Sequence, residues 1–180
     1  MKKLILITLL LLANLTSTAQ TDLDMLILQE INKYRQENNL NGIRFQKGVW
    51  YVANKHTYYQ RESKYMGHRE NIDIPNYEEN TTISGRFNQY TNIPWEGVGE
   101  NCIVMKVRNE TDYELAVEVV NRWKNSKRHN ELMLSDEYVY GGVSSLYGKM
   151  WESYVGDYLY VTYNIYYPLP NYSYDPEELN

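Results

Sequence analysis

The sequence predicts a single α+β domain. Three observations carry that prediction. Two helical patterns stand early in the chain, a third lies past its midpoint, and the final third is dominated by β-branched and aromatic residues. No repeat or linker divides the order helix, helix, long loop, strand, helix, strands.

The N-terminus sets where the domain begins. Met1-Lys2-Lys3 is a short cationic segment, and Leu4 to Leu12 is apolar except at Thr8. Ser17-Thr18-Ala19 then offers small residues at a cleavage site. Residues 1–19 therefore read as a signal peptide, residues 20–167 as the domain, and residues 168–180 as a Pro-rich acidic tail. The apolar run is too short for a stable bilayer span. No cysteine adjoins the site for lipid attachment. A secreted or periplasmic protein is expected.

Leu23, Ile27, Ile31 and Tyr34 recur at helical spacing, with Leu26 and Asn38 extending the face, so a helix is predicted from about Asp22 to Asn39. Asn41-Gly42 supplies turn chemistry after it. A second helix is predicted from about Lys47 to Tyr65, with Val49, Val52, Ala53, His56, Tyr59 and Ser63 on one stripe and Gly67 as its stop. Arg69 to about Pro94 is rich in Asn, Thr, Glu and Pro and reads as a long loop.

A short strand is expected within Val98–Val107, best placed at Cys102–Val107. Thr111 or Asp112 caps a third helix, and Glu114 is the capping-box partner of Thr111. That helix, with Leu115, Val119, Arg122 or Trp123, and Ser126 along its faces, ends near Asn125, and Ser126 to Leu134 follows as a turn and short helix. Val139–Tyr147 and Tyr158–Tyr167 read as strands, with turns at Tyr147-Gly148-Lys149 and Val155-Gly156-Asp157 around a further short one. Pro168, Pro170 and Pro176 make the tail extended.

Composition narrows the function classes. Removing the signal segment takes away Lys2 and Lys3 and no acid, moving the formal net charge from −5 to −7. An acidic domain without a basic cluster argues against a nucleic-acid partner. Cys102 is the only cysteine, so no internal disulfide is possible and stability must come from burial. Its apolar setting, Cys102-Ile103-Val104-Met105, predicts a buried inert thiol. The 19 tyrosines are read as sheet packing, with an aromatic binding surface as the alternative.

Several segments, in order, resemble the bacterial branch of the CAP superfamily (cysteine-rich secretory proteins, antigen-five and pathogenesis-related proteins). They are Ile31-Asn32-Lys33-Tyr34-Arg35; Ala53 and His56 followed by Gly67-His68; Gly97-Val98-Gly99-Glu100-Asn101; and Trp123-Lys124-Asn125-Ser126 followed by His129 and Leu132. Gly141-Gly142-Val143 fits the strand that follows. Each is weak alone; together they span about Leu23 to Tyr167. The resemblance implies a three-layer α-β-α sandwich around an antiparallel sheet. It also implies a cleft lined by His68, Glu100 and His129. Where the family carries a second Glu, this chain has Ser126.

Two neutral imidazoles and a carboxylate can hold a zinc-like cation with an open position. His68 and His129 are therefore the candidate metal ligands, with Glu100 possible, and Asn101 and Ser126 are candidate partners that fix ring tautomers. The four residues His68, Glu100, Ser126 and His129 form the expected ligand site. Trp123, Asn101 and His56 are expected to be structural. The favoured function is an extracellular module binding a small ligand, a lipid or envelope component, or a metal ion. The alternative is a metal-assisted or acid–base hydrolase of peptide or cell-envelope material. For that reading Ser126, His129 and Glu100 would serve as nucleophile, base and orienter, but no nucleophile elbow or oxyanion motif accompanies them.

Overall fold

The computed structural model describes residues 20–70, 82–150 and 157–170. The expected signal segment, most of the expected tail and the extra strand after Gly148 lie outside the described residues. In chain order the elements are α1 (Asp22–Glu37), β1 (Arg44–Phe45), α2 (Lys47–Ser63), α3 (Ile83–Tyr90), β2 (Trp95–Val107), α4 (Asp112–Lys124), α5 (Lys127–Met133), β3 (Tyr140–Gly148) and β4 (Asp157–Pro168).

Helices α1 to α4 begin where side-chain oxygens meet their unpaired N–H groups. Thr21 with Asp24 and Thr111 with Glu114 form reciprocal capping boxes for α1 and α4. Gln46 and Thr82 cap α2 and α3 by accepting from Val49 and Gly85. Residues 83–90 were expected to be loop. Only Ile83, Phe87 and Tyr90 mark their apolar face, too few positions to stand out in a polar stretch.

The sheet order is β1-β3-β4-β2. The three long strands are antiparallel, and the two-residue β1 adds a parallel edge beside β3. β2 runs seven residues longer at its start than the best sequence candidate. Gly97 and Gly99 interrupt its alternation, yet both stay in register with β4. At Gly97 the absent Cβ makes room for the Tyr167 ring, which a larger residue would overlap. Pro168 closes β4 against Trp95 instead of starting the tail.

Alternation along β4 divides the core. Leu159, Val161, Tyr163 and Ile165 pack with Ile27, Ile31, Leu115, Val119, Trp123 and Met133 from α1, α4 and α5. Tyr166 packs on the other side with Val49, Val52 and Phe87 from α2 and α3. Helices thus cover both faces of the sheet. Trp123 is fully buried, its ring 6.0 Å from that of Tyr163. Each large apolar side chain so buried contributes about 1.5–3 kcal/mol, which lets the domain stand with its one cysteine free.

Candidate functional site

The site grows from the middle of β2. Glu100 and Cys102 point to the α2 side of the sheet, opposite Asn164 and Thr162 of β4. Asn101, between them, points to the other side and donates to the backbone carbonyl of His129 on α5 (3.0 Å). Asn101 therefore places the helix that carries His129; it does not touch an imidazole. Gly99 lets α5 come close, since a Cβ there would lie 2.6 Å from Leu132.

Glu100 is fully buried, and both its oxygens are engaged. Oε1 lies 3.1 Å from His68 Nδ1 and 3.5 Å from His56 Nε2. Oε2 accepts from Arg86 Nη2 at 2.6 Å and from Asn164 Nδ2 at 3.1 Å. Burial pushes the Glu100 pKa upward, but the His56 ring, the His68 hydrogen bond and the Arg86 guanidinium outweigh it and bring it down to about 2. Arg86 also donates to the His68 carbonyl (3.2 Å) and sits 3.7 Å from Glu70. One guanidinium from α3 thus ties the acid to the backbone of its histidine partner.

His56, expected to be structural, is fully buried on α2. Its Nδ1 meets Glu70 Oε1 at 2.7 Å and its Nε2 meets the Gly67 carbonyl at 2.8 Å, with Gln60 at 3.0 Å. His68 is 51% exposed at its side chain, the opposite situation. Its Nδ1 is turned to Glu100, and among the described residues its Nε2 makes no hydrogen bond. His129 is half-buried; burial, then the nearby His68, lower its pKa, which favours the neutral ring. Among the described residues no hydrogen bond joins the His129 ring to His68 or Glu100. Ser126 stands at the N-cap of α5 without a side-chain cap bond. Among the described residues its hydroxyl is not joined to His129 or Glu100.

Among the described residues, His56, Glu100 and Cys102 bring potential metal-ligand atoms within 4.8 Å of one another. Their chemistry does not suit a cation. Both His56 nitrogens face oxygen acceptors, Arg86 occupies the charge site beside Glu100, and burial followed by the Glu100 charge pushes the Cys102 thiol well up, away from thiolate. The trio is a hydrogen-bonded support. The residues with a nitrogen to offer are His68 and His129.

Sequence reasoning overlooked Arg86, Glu70, Gln60 and Asn164. Arg86 carried one usable signal: it precedes Phe87 in a stretch whose start, Thr82, can cap a helix. Asn164 carried another, as a polar residue inside an apolar strand run.

A mixed α/β sandwich with its polar cluster at a Gly-Glu-Asn strand defines a class of protein. The family model for the cysteine-rich secretory protein family (CAP) matches residues 28–163, and the chain belongs to that family. Among solved structures, an extracellular protein with an SCP domain from Bacillus anthracis str. Ames is similar at a TM-score of 0.59 and 20% identity, over 81% of this chain and 40% of that one. An outer surface protein from Borrelia burgdorferi is similar at a TM-score of 0.61 and 20% identity, over 83% of this chain and 96% of that one. A cysteine-rich secretory protein from Staphylococcus aureus subsp. aureus Mu50 is similar at 0.53 and 13% identity, over 83% and 40%. The chain thus spans about 40% of the length of the Bacillus and Staphylococcus proteins. These likenesses speak for the fold. No curated protein matches the chain. No helix among the described residues is long and apolar enough to cross a membrane.

Proposed function

We propose that this chain is an extracellular binding module whose cleft takes a divalent cation, or a small ligand of equivalent chemistry, between His68 and His129. The observation that carries this reading is the contrast within the site. A buried, charged Glu100 holds Nδ1 of a half-exposed His68, which leaves Nε2 as the ring's ligand lone pair. A lowered pKa keeps His129 suited to the same task at neutral pH. A bound zinc would supply Lewis acidity and an open coordination position. The extracellular setting is supported by the N-terminal signal pattern and by the extracellular and surface proteins that share the fold.

The hydrolase reading is weaker. A carboxylate titrating at about 2, with both oxygens engaged, is a poor proton carrier near neutrality. Ser126 has no base bonded to it.

The test is direct. Protein purified without chelator is assayed for zinc by mass spectrometry and titrated with zinc chloride by calorimetry. His68→Ala and His129→Ala should each weaken binding at least about tenfold, and the double variant should abolish it. Zinc binding that survives the double substitution refutes the site. A peptide and ester panel checks the hydrolase: activity lost in Glu100→Gln would restore it.

A further inference from the structure

A second buried arginine hydrogen-bonds only neutral acceptors, with Asp136 acting on it electrostatically from beyond ion-pair reach. Arg35, in the last turn of α1, is 2% exposed. Its Nε donates to the Asn41 carbonyl at 2.7 Å, and its Nη1 donates to the carbonyls of Met133 and Ser135 at 2.6 and 2.7 Å. Every acceptor is neutral. Among the described residues no carboxylate lies within the 4.0 Å reach of an ion pair with it, and its Nη2 makes no hydrogen bond. Buried charges are ordinarily paired.

This guanidinium lines a cleft of about 460 Å³, with Asn39, Asn41, Arg44, Asp136 and Tyr138 around it. That volume suits a small molecule. Arg44 is exposed on β1 and, like Asp136, has no ion pair among the described residues. Two cations face one anion, so the lining carries one net positive charge. The cleft shares no residue with His68, Glu100 or His129.

We propose that this cleft is a second binding site, for a small monocarboxylate held by Arg35 Nη2 and the Arg44 guanidinium. Planar guanidinium donors match a planar carboxylate. One negative charge balances the lining, whereas a dianion such as sulfate would meet Asp136 with its second charge. Asp136 also leaves an acceptor for a donor group on the ligand. The proposal stands apart from the histidine cleft and survives if that reading fails.

The experiment is a titration of the full chain, followed by amide chemical shifts, with N-acetylglycine as the carboxylate probe and glycinamide as the probe lacking it. Millimolar binding is the expected scale, so concentrations reach about 50 mM at constant ionic strength. Saturable shifts should cluster at residues 39–44 and 136–139 with N-acetylglycine and be absent with glycinamide. Arg44→Gln, an exposed change that leaves the Arg35 anchors intact, should weaken binding about fivefold, the scale of one solvent-facing charged contact. Shifts that fail to saturate, that appear equally with glycinamide, or that persist unchanged in Arg44→Gln overturn the site. Tighter binding of sulfate than of N-acetylglycine overturns the carboxylate assignment.

Discussion

Arg86 and Arg35 are both buried guanidiniums, yet they sit in opposite electrostatic settings. Arg86 faces two carboxylates, Glu100 at 2.6 Å and Glu70 at 3.7 Å. Arg35 is held by three carbonyls and no carboxylate, beside an open cleft. The difference teaches what a buried charge does in each place. At Arg86 the cation is spent inside the protein, keeping an acid ionised and a histidine aimed. At Arg35 the charge anchors the end of α5 and the segment after it, and across the cleft it faces only Asp136, beyond ion-pair reach. The buried carboxylates repeat the contrast: burial raises Asp24, whose partners are Ser145, Trp50 and Thr21, whereas cationic neighbours hold Glu100 low.

The largest effect should come from removing Arg86. Arg86→Met strands Glu100 as a buried charge without its guanidinium and should cost about 3–5 kcal/mol in urea unfolding. Combining it with Glu100→Gln should recover part of that loss; strict additivity would show that the two groups do not act as a pair.

Next comes acid. A carboxylate with a depressed folded pKa contributes stability above its unfolded value, near 4.5, that is lost as pH falls toward about 2. The loss at Glu100 should be on the order of 3 kcal/mol, and Glu100→Gln should flatten that limb of the stability curve. Asp24 has the opposite sign: with its pKa raised above 3.8, its contribution declines as pH rises through that region. Asp24→Asn should therefore leave the acid limb in place. If it flattens the limb instead, the carboxylate roles are reversed.

Arg35→Met should cost less than Arg86→Met, about 2–3 kcal/mol, because it strands carbonyls and no charge. Only the bond to Met133 is fully buried; water can reach the other two acceptors. A cost equal to that of Arg86→Met would erase the distinction. Smallest of all, Arg44→Ala should change stability by less than about 0.5 kcal/mol, since it touches no buried group. Thermal unfolding checks this.

Much of the fold was legible. The helices at 22–37, 47–63 and 112–124 announced themselves by spacing and caps, and β3 and β4 by their β-branched and aromatic runs. α3 was not, because eight residues with three apolar positions inside a polar stretch give a weak period. β1 is two residues long and exists only through its pairing with Tyr140 and Gly141. At the site, His68, Glu100 and His129 were named from motif order, while Ser126 was grouped with them and is unattached. Arg86, Glu70 and Asn164 were missed because a contact between residues 14 or 64 positions apart leaves no local trace.

By itself the sequence determined where α1, α2 and α4 start, which strand faces are apolar and that the one thiol would be buried. These follow from local periodicity, capping chemistry and residue type. Only the tertiary structure decided that Glu100 stays charged, that His68 is half-exposed while His56 is buried, and that one buried arginine has acids in ion-pair reach while the other bonds only carbonyls. Charge state depends on burial and on what lies within a few ångströms, and those neighbours come from distant parts of the chain.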